Sequence, residues 1–164
     1  MKKTLIHVIG NIAAGKSSLI ETIKPQFQDA QFFSIDEYRK VYGSWVEDYE
    51  GYSWRKLVED LIKSPFAILE TSGTSRYVPL LEKEFDGRVI RIIVKTPIDL
   101  CLKRFIDRRD NGYELAPIPW RKPVELAMFD INDILYSKKY DAEIDGKKTI
   151  ESMSLDFLKI FKRA

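Results

Sequence analysis

The stretch Gly10-Asn11-Ile12-Ala13-Ala14-Gly15-Lys16-Ser17 constrains this chain more than any other. It fits the pattern of glycine, four residues, glycine, lysine, then serine or threonine, which marks a loop that wraps a phosphate chain. Such a loop needs a strand before it and a helix after it. The apolar run Leu5-Ile6-His7-Val8-Ile9 reads as a buried parallel strand, and residues 16–24 read as a helix that stops at Pro25. Gly10 and Gly15 let the backbone turn tightly, so that consecutive N–H groups converge on one point. The N-terminus of the following helix adds its dipole. Lys16 brings an ammonium to the terminal phosphates, and the Ser17 hydroxyl suits a magnesium shell. Asn11, Ala13, Ala14 and Ser18 complete the expected nucleotide contacts. The motif implies a nucleoside triphosphate and leaves the reaction open.

The rest of the chain repeats the strand–helix theme. Further strands are expected at residues 31–35, 66–69, 88–95 and 140–145, with helices between them at 54–62, 76–85, 97–108, 124–135 and 150–162. A short helix opens at Asp36. Residues 42–54, rich in aromatics, read as an irregular cover, and residues 110–120, with Asn111-Gly112, Pro117 and Pro119, read as a loop. The order implies an α/β protein: one domain over residues 1–164, with a five-stranded parallel sheet, helices on both faces, and an arginine-bearing lid at about residues 104–120.

Composition narrows the setting. The chain has 164 residues, 45% hydrophobic and 32% charged, as in soluble globular proteins. A net charge of +2 is too mild to argue for nucleic-acid binding by itself. Cys101 is the single cysteine, so there is no disulfide framework and a reducing, cytoplasmic setting is the default. Cys101 falls on the apolar face of its helix and reads as core filler; His7, inside the first strand, reads as a packed core histidine. No apolar run approaches the ~20 residues of a membrane span. The basic–apolar start leads directly into the phosphate loop, which argues against a cleaved leader.

Several side chains fall where chemistry is expected. Strand C-termini form the ligand edge of a parallel sheet, so Asp36 and Glu70 share an edge with the phosphate loop. Asp36 is the expected base that orients an acceptor hydroxyl; the structural alternative is a helix N-cap. Arg39, one turn on, faces the same way and suits an acceptor phosphate. Glu70 is a candidate, with Ser17, for the magnesium shell. Arg104 and Arg108 share a helix face and suit a clamp on the transferred phosphate, whereas Arg109 points elsewhere. Trp45, Tyr49 and Trp120 are candidates for stacking an acceptor base or, alternatively, for anchoring loops.

These patches resemble the nucleoside and polynucleotide kinase group of P-loop kinases. The loop is similar to the Gly-Asn-Ile-x-x-Gly-Lys of deoxynucleoside kinases, and Asp36-Glu37-Tyr38-Arg39 resembles the Asp-Asp-Tyr-Arg of polynucleotide 5′-kinases. Cys101-Leu102-Lys103-Arg104 and Arg108-Arg109 resemble the lid arginines of both. The resemblance implies ATP, Mg²⁺ and transfer to a hydroxyl of a nucleic-acid-type acceptor, either a polynucleotide 5′-hydroxyl or a hydroxyl on a modified DNA base. It also departs from the nucleoside-kinase pattern: Glu70-Thr71-Ser72-Gly73 stands where a Glu-Arg-Ser triplet is expected. A deoxynucleoside or other small-molecule kinase and a regulatory nucleotide-binding module remain alternatives.

Overall fold

The apolar runs assemble into one five-stranded, wholly parallel sheet in the order β2-β3-β1-β4-β5. The computed structural model describes residues 2–43, 47–113 and 123–164, with Glu47 and Asp48 described by backbone alone. Central β1 (Thr4–Ile9) lies between β3 (Phe66–Thr71) and β4 (Arg88–Lys95), and β2 (Gln31–Ser34) and β5 (Ala142–Asp145) are the edges. Ile9 is level with Thr71 on one side and Ile93 on the other, so β1 and β3 finish together and β4 runs two residues further, to Lys95. The chain leaves β1 towards β2 and leaves β3 towards β4 on the opposite side. That reversal opens a crevice at the C-terminal end of β1, where open α/β sheets bind ligands.

Side-chain alternation distributes the helices. Ile6, Val8, Ile68 and Ile92 pack with Leu19, Ile20 and Ile23 of α1 (Lys16–Ile23), Cys101 and Phe105 of α5 (Ile98–Asp110), Met128 of α6 (Val124–Tyr136), and Met153 and Phe157 of α7 (Ile150–Arg163). Leu5, Ala67 and Leu69 face the other way, onto Trp54, Leu57 and Leu61 of α3 (Glu47–Leu61) and Val78 and Leu81 of α4 (Val78–Glu84). Ile131 and Leu135, also of α6, meet Ile9 and Ile93. Each fully buried Leu or Ile contributes about 1.5–3 kcal/mol. Among the described residues no helix is long and apolar enough to cross a membrane.

The elements follow the sequence pattern, with β3 running on to Thr71, β5 starting at Ala142 and three further differences. First, α3 starts at Glu47, inside the stretch expected to be an irregular cover. The indole of Trp54 donates to Glu50 Oε1 at 2.9 Å, one turn back, and the Ser53 hydroxyl donates to the Gly43 carbonyl at 2.7 Å. These internal bonds carry the helix past Gly51, where a Cβ would meet the Tyr77 hydroxyl at 3.0 Å. Second, Arg104 to Asp110 belong to α5, so the arginine-bearing part of the expected lid is helix. The lid beyond Tyr113 lies outside the described residues, as do Trp45 and Trp120. Third, α4 begins at Val78 rather than two residues earlier.

Candidate active site

The loop after β1 has the backbone its glycines predict. Gly15 has φ 105° and heads α1, and Ala13 takes the left-handed conformation at φ 59°. A Cβ on Gly10 would sit 3.0 Å from the Val94 carbonyl. Alternation of handedness turns amides inward and carbonyls outward. Three loop carbonyls are held: the Thr96 hydroxyl donates to Ala14 O at 2.8 Å, and the Lys16 ammonium donates to Gly10 O and Asn11 O at 2.7 Å each. The amides of Gly15, Lys16, Ser17 and Ser18 open α1, where a helix leaves its first N–H groups without intrahelical partners. Four donors and a lysine around one concavity are a fit for an anionic chain.

Asn11 is buried and works inside the protein. Its amide nitrogen donates to Met128 O at 2.8 Å, and its oxygen accepts from the Ile12 N–H at 2.8 Å. It ties the loop to α6.

Lys16 lies in a field of both signs. Burial pushes its pKa down, the Glu70 and Asp36 carboxylates pull it back up, and Arg108 opposes them. Topology places Asp36 and Glu70 on one edge: Ser34 of β2 is level with Glu70 of β3, and Asp36 follows two residues after Ser34. Glu70, half-buried at the end of β3, accepts a hydrogen bond from the Ser17 hydroxyl at 2.6 Å. Two hard oxygen donors at this spacing fit Mg²⁺, which takes one or two protein ligands and fills its octahedron with water and phosphate oxygens. Among the described residues no cluster of three His, Cys, Asp or Glu side chains forms a closed metal cage.

Asp36 stands in the first turn of α2 (Ile35–Tyr42), which follows β2. Ser34 occupies the N-cap position, so Asp36 does not cap the helix. Its carboxylate is exposed and accepts from Arg39 Nη1 at 3.1 Å. Arg39 is itself held by Glu50: Nε donates to both Glu50 oxygens, at 3.2 and 3.1 Å, and Nη2 to Oε1 at 2.7 Å. Glu50 is a residue that sequence reasoning missed. It has no feature that separates it from its acidic neighbours until the helix is known to place it four residues before Trp54.

The arginines of α5 part company. Arg104 Nη1 donates to Ala13 O and Ala14 O at 3.5 and 3.4 Å, and Nη2 to Gly146 O at 3.1 Å. It therefore sits on the carbonyl side of the loop and bridges it to the turn before α7. Gly146 is required there, because a Cβ would meet Thr96 Oγ1 at 1.7 Å. Arg108, half-buried, stacks over Tyr113 at 5.9 Å, with no carboxylate partner among the described residues. Arg109 donates to Glu125 Oε1 at 2.6 Å and fastens the end of α5 to the start of α6. Spacing put Arg104 and Arg108 on one face; their reach separates them.

The two residues read as core filler behave so. Cys101 is fully buried; burial pushes its thiol pKa up against the pull of Lys16 and Arg104, which keeps it a poor nucleophile. His7 accepts from, or donates to, Thr71 Oγ1 at 2.7 Å through Nε2, and its Nδ1 lies 3.1 Å from Glu82 Oε1. Thr71 Oγ1 also accepts from the Gly73 N–H at 2.8 Å. A neutral imidazole with the proton on Nδ1 satisfies the whole chain. Arg91 clamps Glu82 from outside, with bonds of 2.8 and 2.5 Å. Burial pushes the His7 pKa below its ordinary 6.5, with Glu82 only partly compensating. The unfolded chain therefore takes up this proton at higher pH than the folded one, and stability rises with pH through that window. The contribution is complete above about pH 6.5 and is lost progressively as pH falls below it. His7 is the single histidine. Urea midpoints measured from pH 7.5 to 5.5 should fall towards acid in the wild type and stay nearly flat in His7→Asn.

No protein-family model matches the chain, and no curated protein does. Its structure is similar to a gluconokinase from Sinorhizobium meliloti 1021, with TM-score 0.71 and 15% identity over 98% of this chain and 93% of that one. It is similar to a shikimate kinase from Aquifex aeolicus, with TM-score 0.66 and 16% identity over 96% of each chain. It also matches the Pnkp1/Rnl/Hen1 RNA repair complex, with TM-score 0.67 and 13% identity over 85% of this chain and 47% of that chain. The shared architecture is the P-loop NTPase fold.

Proposed function

We propose that this protein is an ATP- and Mg²⁺-dependent kinase that transfers the γ-phosphate to a hydroxyl of a nucleic-acid-type acceptor, a polynucleotide 5′-hydroxyl or a hydroxyl on a modified DNA base. The observation that carries the reading is the pairing of a triphosphate loop with two carboxylates of different setting. Glu70 is bonded to the loop serine, and Asp36 is exposed in the first turn of the helix that follows Ser34, the residue level with Glu70 on the neighbouring strand. One carboxylate suits the metal and the other the acceptor.

In this reading the loop amides and Lys16 would hold the β- and γ-phosphates, and Ser17 and Glu70 would hold Mg²⁺. The metal supplies charge neutralisation across the phosphate oxygens. Asp36 receives the acceptor hydroxyl proton as the oxygen–phosphorus bond forms; the bond from the γ-phosphorus to the bridging oxygen breaks, and ADP leaves with that electron pair. Arg108, which has no carboxylate partner among the described residues, would supply a guanidinium for charge on the transferred group. Arg104 acts indirectly, by bracing the loop. Arg39 keeps one N–H on each terminal nitrogen that no described residue takes up, which suits an acceptor phosphate. Tyr49, exposed on α3, offers a ring for a base.

A small hydroxylated metabolite is the second reading. The observation favouring it is that Asp36, Arg39 and Glu50 together carry one net negative charge, which disfavours a strongly anionic acceptor at that spot. The deoxynucleoside reading loses support, because Asn11 is accounted for by its bond to α6. The test is incubation with γ-labelled ATP and 5′-hydroxyl oligonucleotides, hydroxymethyl-base DNA, deoxynucleosides and sugar acids. Label on oligonucleotide or base-modified DNA is expected. Label only on a small molecule overturns the acceptor, and ATP binding without transfer to any of them favours a regulatory module.

A further inference from the structure

The acceptor side of the site contains one charged group that the proposed reaction does not use. Glu50 is the single acidic residue among the buried residues of the described chain, with its side chain 9% exposed. A carboxylate is enclosed at this depth only where its charge and lone pairs are met. Here both oxygens are met, Oε1 by three N–H groups and Oε2 by one. The Arg39 guanidinium forks onto both oxygens through Nε and Nη2, and the Trp54 indole donates to Oε1. Trp54 is buried, stacks on Tyr77 with centroids 5.8 Å apart and belongs to the core beneath α2 and α3. Glu50 is thus fixed to the rigid interior on one side and fixes Arg39 on the other.

Asp36 has no such support of its own. Its side chain is 51% exposed, and the only described group that bonds it is Arg39 Nη1. A carboxylate in the first turn of a helix rotates freely unless something holds it, and an exposed pair three residues apart is a weak and transient tether. The same pair becomes persistent when its arginine is immobilised from behind. Resting on the kinase reading above, we propose that Glu50 is the positioning residue of the acceptor site: it locks the Arg39 guanidinium, and through it the Asp36 carboxylate, in the orientation that receives the acceptor hydroxyl. Glu50 touches neither nucleotide nor acceptor; it acts wholly through Arg39. A lysine at position 39 would not substitute, because a point ammonium cannot fork onto Glu50 and reach Asp36 together.

The test is Glu50→Gln in the full chain. Glutamine keeps an oxygen for the Trp54 indole and removes the charge that anchors the arginine. Three readouts separate the outcomes. Exchange of the Arg39 Nε–H with solvent, followed by ¹⁵N NMR, is expected to be slow in the wild type and to accelerate at least tenfold in the variant; unchanged exchange overturns the proposal whether or not any acceptor is labelled. With an acceptor identified, kcat for transfer should fall about tenfold or more while the KM for ATP stays within twofold. A variant that transfers at the wild-type rate overturns the positioning role and leaves the kinase reading standing. Failure of the wild type to label any acceptor removes the kinase reading and leaves the exchange measurement to decide the Glu50–Arg39 lock. The Trp54 indole resonance reports folding: if it collapses in Glu50→Gln, Glu50→Asp, which keeps the charge and withdraws the fork by one methylene, is measured instead with the same expected acceleration.

Discussion

The Asp36→Asn variant should lose about 10²- to 10⁴-fold in the rate of phosphoryl transfer, the usual contribution of a positioned general base. Its ATP affinity should match the wild type. The substitution is close to isosteric. The asparagine oxygen can still accept from Arg39 Nη1, and Ser34 rather than Asp36 occupies the cap position of α2. The structural cost is the loss of a first-turn charge–dipole contact, about 0.3–1 kcal/mol, so the fold survives and the loss of rate can be read as chemistry. Steady-state transfer at saturating ATP, beside calorimetric ATP binding, makes the measurement. Undiminished transfer would reassign the base.

Lys16→Ala should damage both halves of the reaction. In the structure the ammonium holds Gly10 O and Asn11 O, so its removal loosens the loop as well as deleting the charge meant for the phosphates. Charge-assisted bonds contribute about 1.5–3 kcal/mol each, which corresponds to about a ten- to hundredfold loss of ATP affinity for one such contact. Transfer at saturating ATP should fall by about a further 10²–10³, as when one donor to developing charge is removed. The contrast with Asp36→Asn is the informative part. One variant should separate binding from chemistry, and the other should lower both. If Lys16→Ala binds ATP as tightly as the wild type, the loop is not the triphosphate site.

The strand–helix order, the parallel sheet and the loop geometry were legible because each rests on local periodicity or on glycine. Leu5, Ile6 and Val8 alternate faces of one strand, and Gly15 takes the positive φ that its place in the motif demands. The start of α3 was not legible, since its cause is a bond between Glu50 and Trp54 within a stretch whose aromatics and glycine suggest a loop. The supports of the site were hidden for another reason. Thr96 holds Ala14 across 82 positions, and Arg104 reaches Gly146 across 42. Helical spacing assigned Arg104 and Arg108 to one face correctly, but a face does not say how far a guanidinium extends or which carbonyl it finds. The Glu50–Arg39 lock combines both difficulties: it needs α3 to start early and two helices to meet.

The bond from Asn11 to Met128 O has an evolutionary corollary. It ends on a main-chain carbonyl, so position 128 is free to drift among residues that fill the same apolar space, while position 11 is not. Relatives should therefore keep an amide at the second position of the loop without any matching substitution at its partner, and a search for paired changes would miss the contact. An Asn there records how α6 is docked. It carries no message about the choice of acceptor in the proposed reaction.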